Sequence, residues 1–219
     1  MASTSRRIVF YLALIAIVLG AFVFVVLPRT GYRLAFPGYD AADVAARAEI
    51  LLAYGTKAAG AADDMQSLKK IPPNEFNFIK PGTEPLSDDL RRKNMYDEAG
   101  GGLKIFEADP AYFSKNFPIR RGWVAQQGTN VEWSQTSASD IIFTFVDVDE
   151  RVCKAINKKL YNSEDIPLAK ERASVLFVHG NDDDDDFTSV ICPKCKMHDR
   201  FCVKDLTGAY AFYNVIVGR

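Results

Sequence analysis

The segment CPKCKMHDRFC, residues 192–202, carries the most evident chemistry of the chain. Its C-x2-C-x2-H-x3-C spacing could supply the ligands of a tetrahedral zinc site. Its first two cysteines also form a C-x-x-C redox motif, although no βαβ pattern precedes it. The chain has four cysteines, and an even number in an exported domain usually pairs. We favour disulfides, with three connectivities open, among Cys153, Cys192, Cys195 and Cys202. One connectivity would tie a predicted helix to the late strands through Cys153.

An acidic run precedes this segment and consists of five consecutive aspartates, Asp182, Asp183, Asp184, Asp185 and Asp186. A calcium site needs six to eight oxygen ligands from a shaped loop, and this run lacks the alternation of an EF-hand. We therefore interpret it first as a solvated loop between strands. The alternative is a loop that binds a hard cation such as calcium.

The sequence contains no recognisable catalytic set. His179 and His198 are its two histidines, and neither belongs to a motif that joins a nucleophile, a histidine and a carboxylate. Asp147, Asp149 and Glu150 cluster at the start of a predicted helix, where capping explains them better. We therefore predict neither an enzyme nor a bound cofactor. The net charge of −1 gives no support for a nucleic-acid partner.

The N-terminal run Ile8–Leu27 is apolar and contains no charged residue. At 1.5 Å per residue, such a run spans about 30 Å as a helix, the thickness of the hydrocarbon core. A cleaved signal peptide is the alternative, but no A-x-A-like cleavage site follows. We predict a transmembrane helix that ends or kinks at Pro28. The lipid bilayer is then the first predicted partner.

The predicted organisation is a tail at 1–7, the span at 8–27, a kink or linker at 28–39 and a domain at 40–219. Arginines flank both ends of the span in nearly equal number. Because a short tail is easily retained while a long domain is translocated largely regardless of charge, we place the tail in the cytoplasm and the domain in the periplasm.

Residues 40–69 show the pattern of a long amphipathic helix. Four apolar residues recur at intervals of seven, and small residues lie between them. We expect this stripe to pack on the core of its own domain, with a seam between molecules as the alternative. The four residues are Val44, Leu51, Ala58 and Met65.

The rest of the chain predicts a loop-like stretch, a second helix and several strands. Glycines and prolines punctuate residues 80–102, and residues 147–160 show helical periodicity. Runs of β-branched and aromatic residues predict strands at 76–79, 103–106, 123–126, 131–133, 141–145, 174–178 and 209–217. The element order favours an α+β fold in which an antiparallel sheet packs on the long helix.

Three pieces of the chain resemble type IV pilin-like proteins, including pseudopilins. The run ALIAIVLGAFVFVVLP, ending at Pro28, resembles the pilin N-terminal helix, and the alanine-rich helix predicted at 40–69 is similar to the outer half of the pilin spine helix. The third piece is the helix DERVCKAINKKL together with the closing segment TGAYAFYNVIVGR. The resemblance implies a pilin-like fold, a bacterial inner-membrane location and partners among other pilin-like or envelope subunits. The chain departs from the family at the processing site. Pilins need a glycine before the peptidase cut, whereas Arg6 or Arg7 stands near the expected cut here. They also need a glutamate five residues into the mature helix, whereas the first glutamate of this chain is Glu49. The resemblance therefore implies a divergent member.

These observations favour a membrane-anchored structural subunit or accessory protein of a filament, secretion or envelope assembly. The competing hypothesis is a bitopic binding or sensor module whose acidic loop captures a cation.

Overall fold

The computed structural model describes residues 37–82, 85–114, 122–134, 140–177 and 186–218. The chain divides into two compact units, Met1–Ala42 and Asp43–Arg219. The predicted tail at 1–7, the predicted span at 8–27 and Pro28 lie outside the described residues. Within the described ranges, no helix is both long and apolar enough to cross a membrane.

The second unit is built on a four-stranded antiparallel sheet. Its strand order is β1-β2-β4-β3, so the last strand of the chain lies inside the sheet. β2 is buried along its whole length because both of its faces are covered. The strands are β1 (Gly122–Gln126), β2 (Ile141–Val146), β3 (Arg200–Lys204) and β4 (Tyr210–Val217).

The long helix α1 extends over Pro37–Ser67, 31 residues. It begins three residues before the predicted start, so the predicted linker at 28–39 is wrong at residues 37–39. Proline is well suited to a first helical turn, where its missing N–H would have no partner in the helix. The helix stops before the predicted end at residue 69, ahead of the pair Pro72-Pro73.

Helix α1 packs closely on the sheet at Gly55. The Asn214 amide of β4 donates a 2.8 Å hydrogen bond to the Gly55 carbonyl. A Cβ at this position would lie 3.2 Å from the same amide nitrogen. Such a close approach explains a glycine inside the helix despite its low helix propensity.

The two faces of the sheet carry separate apolar clusters, as expected from the two-residue period of a strand. One cluster joins α1 to Phe143, Phe145 and Phe212. The opposite cluster contains Ile142 and Tyr213 and is covered by the short helix α4, Ala173–Phe177, and by Phe187, Cys192 and Cys195.

Two further helices complete the described domain. Helix α3 covers Glu150–Tyr161. The Asp149 carboxylate caps its first turn, and Asn162, the residue after the helix, has the left-handed conformation. It packs on the same face of the sheet as α1. Helix α2, Asp88–Arg92, lies within the stretch predicted to be loop-like, and the Ser87 hydroxyl caps it.

The α+β class, the antiparallel sheet and the long helix are confirmed, but several local predictions are wrong. The sequence predicts a strand at residues 174–178, but the structure has helix α4, Ala173–Phe177, in that place. The predicted strand at 76–79 contains a single bridge, Asn77 to Asn94, and residues 131–133 likewise contain one bridge, Val131 to Phe187. Residues 103–106 belong to no strand, and β3 was not predicted.

Candidate functional site

The four cysteines form two disulfides, Cys153–Cys202 and Cys192–Cys195. The first joins helix α3 to strand β3, which is one of the three connectivities left open by the sequence. All four cysteines are fully buried. Because every cysteine of the chain is in a disulfide, no thiolate remains to bind zinc through the C-x2-C-x2-H-x3-C spacing.

Asn157 reinforces the contact between α3 and β3 one helical turn beyond Cys153. Its amide accepts a 2.9 Å hydrogen bond from the Cys202 N–H and donates 2.8 Å bonds to the carbonyls of Cys202 and Asp165. Asn157 is fully buried. Helix α3 and strand β3 are therefore held together by a disulfide and by the Asn157 amide, whose nitrogen and oxygen both form hydrogen bonds.

The second disulfide closes a 3-10 turn, Pro193–Cys195, on the opposite face of the sheet. His198 follows this turn, and its ring centroid lies 4.2 Å from that of Tyr161. The His198 carbonyl accepts a 2.8 Å hydrogen bond from the Tyr213 hydroxyl. The histidine is thus engaged in packing beside the disulfide.

Four residues of the predicted cation loop, Asp182–Asp185, lie outside the described residues. Asp186 is exposed and immediately precedes the fully buried Phe187. Across the described ranges, no group of three or more histidine, cysteine or acidic side chains is arranged to hold a metal. Calcium binding by this loop stays a prediction from the sequence.

The predicted apolar stripe of α1 faces the core. Val44 is 8% exposed, and Leu51, Ala58 and Met65 are completely buried. All four belong to the cluster on the α1 side of the sheet.

The outward face of α1 carries small residues at intervals of seven. Ala46, Ala53 and Gly60 are exposed, and an added Cβ at Gly60 would meet no atom within 4 Å. Ile50 lies between Ala46 and Ala53 and is 47% exposed. Glu49, Lys57 and Asp64 are also exposed on this face and bring charges to it. Backbones can approach each other closely over small residues, so this face is well shaped for another helix.

No protein-family model matches this chain, and no curated protein or solved structure matches it.

The sequence did not predict a groove and a cavity beside α1. The groove, about 690 Å³, lies between α1 and the extended segment 101–107. The cavity, about 250 Å³, adjoins it. Tyr54, Ile105 and Phe106 line both. No sequence pattern signals these spaces, because their walls come from segments far apart in the chain.

Tyr54 and Tyr96 bring phenols to the cavity, and both stay protonated at neutral pH. The Tyr54 hydroxyl donates a 2.7 Å hydrogen bond to the Lys104 carbonyl. Burial, followed by the nearby Tyr96, raises the pKa of Tyr54 well above its usual range. Burial alone raises the pKa of Tyr96 to about 12. Both groups can therefore act as neutral hydrogen-bond donors or acceptors at physiological pH.

Proposed function

We propose that this protein is a membrane-anchored, pilin-like subunit or accessory protein of a filament, secretion or envelope assembly. The apolar run 8–27 would hold it in a bacterial inner membrane. The domain from residue 40 onward would stand in the periplasm and contact other subunits.

The observation that carries this proposal is the two-sided character of α1. One side packs on the antiparallel sheet through Val44, Leu51, Ala58 and Met65. The other side is open to solvent along the helix and combines small residues with the exposed Ile50. The small residues are the part of this face that suits a second helix, because they let the backbones of two helices approach closely.

The disulfides support the periplasmic location. Disulfides persist in oxidising compartments and are rare in the cytosol, where thiols are kept reduced. Both bridges are buried within the domain, and one of them connects α3 to β3. This arrangement suits a domain that must stay folded outside the cell's chaperone-rich interior.

Site-specific photocrosslinking in cells of the source organism tests the proposal. A benzophenone amino acid is placed at Ala53 or at Gly60 in the full-length chain. We expect crosslinked products of defined mass from both positions, because both face outward from α1. The matched control is Leu206, which is 58% exposed between β3 and β4. It should give weaker products or none.

Mass spectrometry then identifies the crosslinked partner. A second copy of this chain or another membrane-anchored envelope subunit supports the proposal. An absence of products from Ala53 and Gly60 in protein that is folded and membrane-bound would contradict it.

A further inference from the structure

One exposed row of helix α1 has the residue spacing of a contact between two helices. Its residues recur at alternating steps of four and three, the spacing that brings side chains together along a helix pair. We call this row the seam, and its members are Ala46, Ile50, Ala53, Lys57, Gly60 and Asp64. Each of its three small residues is followed four positions later by a larger one. The seam therefore alternates between small and large side chains along its whole length.

The domain uses the neighbouring exposed row of α1 but leaves the seam free. In the neighbouring row, Glu49 pairs with Lys159 of α3, and the Thr56 hydroxyl accepts a 3.2 Å hydrogen bond from the Arg200 guanidinium of β3. Within the described part of the chain, neither of the two charged side chains of the seam has an ion-pair or hydrogen-bond partner. The seam is therefore the surface of α1 that remains for a partner.

The seam carries an unfilled recess near one end and an exposed apolar side chain near the other. Gly60 lines the groove of about 690 Å³ between α1 and the segment 101–107. An added Cβ at Gly60 would meet no atom within 4 Å. Ile50, which is 47% exposed, lies about 15 Å away along the helix axis at 1.5 Å per residue. One molecule therefore cannot place its own Ile50 in this recess.

A second copy of α1 in antiparallel orientation matches each large residue of the seam with a small one. When the pair is centred level with residue 55, the facing residues are Ile50 and Gly60, Lys57 and Ala53, and Asp64 and Ala46. The lysine and aspartate stems then lie over alanines while their charged ends stay in water.

A parallel pair would be less favourable, because every residue would face its own copy. Two Lys57 side chains would meet, and so would two Asp64 side chains, and like charges at such positions repel. The recess at Gly60 would also stay empty, because a second glycine would face it. The order of residues in the seam therefore selects the antiparallel orientation.

We infer that α1 pairs with α1 of a second copy of this chain, antiparallel and through the seam, with Ile50 of each copy in the groove beside Gly60 of the other. The inference rests on the proposed function and deepens it by naming the partner of α1. Because a two-fold axis relates the copies, both recesses are filled and the contact closes as a dimer. Both Ile50 side chains leave water, and the backbones approach closely over Ala53 and Gly60.

Cysteine crosslinking of the full chain in membranes tests this pairing. All native cysteines are in disulfides, so an introduced cysteine supplies a free thiol for a short bifunctional maleimide. Ile50→Cys and Gly60→Cys, carrying different tags, are produced separately and together. We expect a crosslinked dimer that contains both tags, and no product from either variant alone. Identical positions would lie about 15 Å apart along the axis of an antiparallel pair.

A second pair of variants reports whether the seam itself makes the contact. Ala46→Cys and Asp64→Cys face each other in the same arrangement and should also crosslink only when mixed. Adding Gly60→Leu to both copies fills the recess and should lower this product about tenfold, because added bulk keeps the two backbones apart. Asp63→Leu is the matched control, since Asp63 is exposed on α1 outside the seam. It should leave the product unchanged. Circular dichroism checks that both leucine variants are folded.

The inference is overturned if the mixed variants give no product, or if Ile50→Cys crosslinks to itself, as a parallel pair requires. A folded Gly60→Leu protein that crosslinks as well as its parent would also overturn it. The test with Ile50→Cys and Gly60→Cys is decisive even if Gly60→Leu does not fold. Photocrosslinks from Ala53 and Gly60 to a different envelope subunit, and never to a second copy, would overturn this inference and leave the proposed function standing. Folded, membrane-bound protein without any such photocrosslinks would overturn both.

Discussion

Asn157 shows how one side chain can decide whether two elements stay together. Its amide meets both backbone groups of Cys202 and one carbonyl of the segment after α3, so it uses both donors and its acceptor. The sequence places Asn157 on the inner face of a helix beside apolar residues, where a polar residue looks out of place. Only the packing of β3 against α3 reveals its partners in Cys202, since that residue lies 45 positions further along the chain.

Replacing this amide tests its contribution directly. Asn157→Ala leaves the Cys202 N–H and carbonyl buried without their partner. We expect the free energy of unfolding to fall by about 2–3 kcal/mol, the cost of leaving buried polar groups unpaired. Urea unfolding followed by tryptophan fluorescence measures it. The control is Gln66→Ala on the exposed side of α1, which should change stability by less than about 0.5 kcal/mol.

The raised pKa of the partly buried Tyr96 predicts that the protein loses stability at alkaline pH. Burial raises the pKa of Tyr96 to about 12, above the value near 10 of an unfolded tyrosine. Above pH 10 the unfolded state therefore binds fewer protons than the folded state, and stability falls as pH rises through that window. Below pH 10 both states keep the proton, and this contribution is fully present.

The Tyr96→Phe variant isolates one part of this loss. Its stability should decline less steeply than that of the wild type between pH 10 and pH 12, because phenylalanine has no proton to lose. Between pH 7 and pH 9 the difference between the two proteins should be constant. Parallel curves up to pH 12 would show that the Tyr96 phenol titrates as it does in the unfolded chain.

At the scale of elements, the sequence predicts the long helix and the strands around residues 123–126, 141–145 and 209–217 because their periodicity is local. It fails at helix α4. Residues 173–177 read ASVLF, a short apolar run that periodicity cannot assign. The group that fixes its start is distant: the Asp205 carboxylate accepts a 2.9 Å hydrogen bond from the Ala173 N–H. No rule based on neighbouring residues could find that cap.

Strand β3 was missed for a related reason. It overlaps the end of the cysteine-rich segment 192–202 and has charged residues at both ends, Arg200 and Lys204. Its alternation is clear only in the sheet, where Cys202 faces α3 and Val203 faces the opposite cluster. The cavity beside Tyr54 could not be predicted from the sequence either, since its walls are drawn from α1, from the segment 80–113 and from β1.

The two disulfides should differ in their contributions to stability because they close loops of different length. Cys153–Cys202 links residues separated by 49 positions, and Cys192–Cys195 links residues separated by 3. Loop-closure entropy in the unfolded chain predicts a stabilisation of about 4 kcal/mol for the first and about 2 kcal/mol for the second. The paired variants Cys153→Ala/Cys202→Ala and Cys192→Ala/Cys195→Ala, compared by urea unfolding, measure the difference. Equal losses would contradict the loop-length argument.

At the scale of the whole molecule, the proposed function combines two parts of the chain, the apolar run 8–27 and the domain that follows it. The apolar run 8–27 is expensive to expose to water and predicts the anchor. The described domain supplies a four-stranded sheet and helix α1. One face of α1 packs in the core, and the opposite face is exposed and would contact other subunits. The redox state of the cysteines connects these features, because it reports the compartment in which the domain folds.

Counting reactive thiols therefore tests the location of the domain. The full chain, taken from cells, denatured and treated with a maleimide polymer, should gain no polymer before reduction and four after it, because all four cysteines are paired. Cys153→Ser should gain one, on Cys202, since the Cys192–Cys195 bridge is independent of it. A variant lacking residues 1–36 is retained in the cytosol and should gain four without reduction. Four reactive thiols in the anchored full chain would place the domain in a reducing compartment and would remove the basis for a periplasmic subunit.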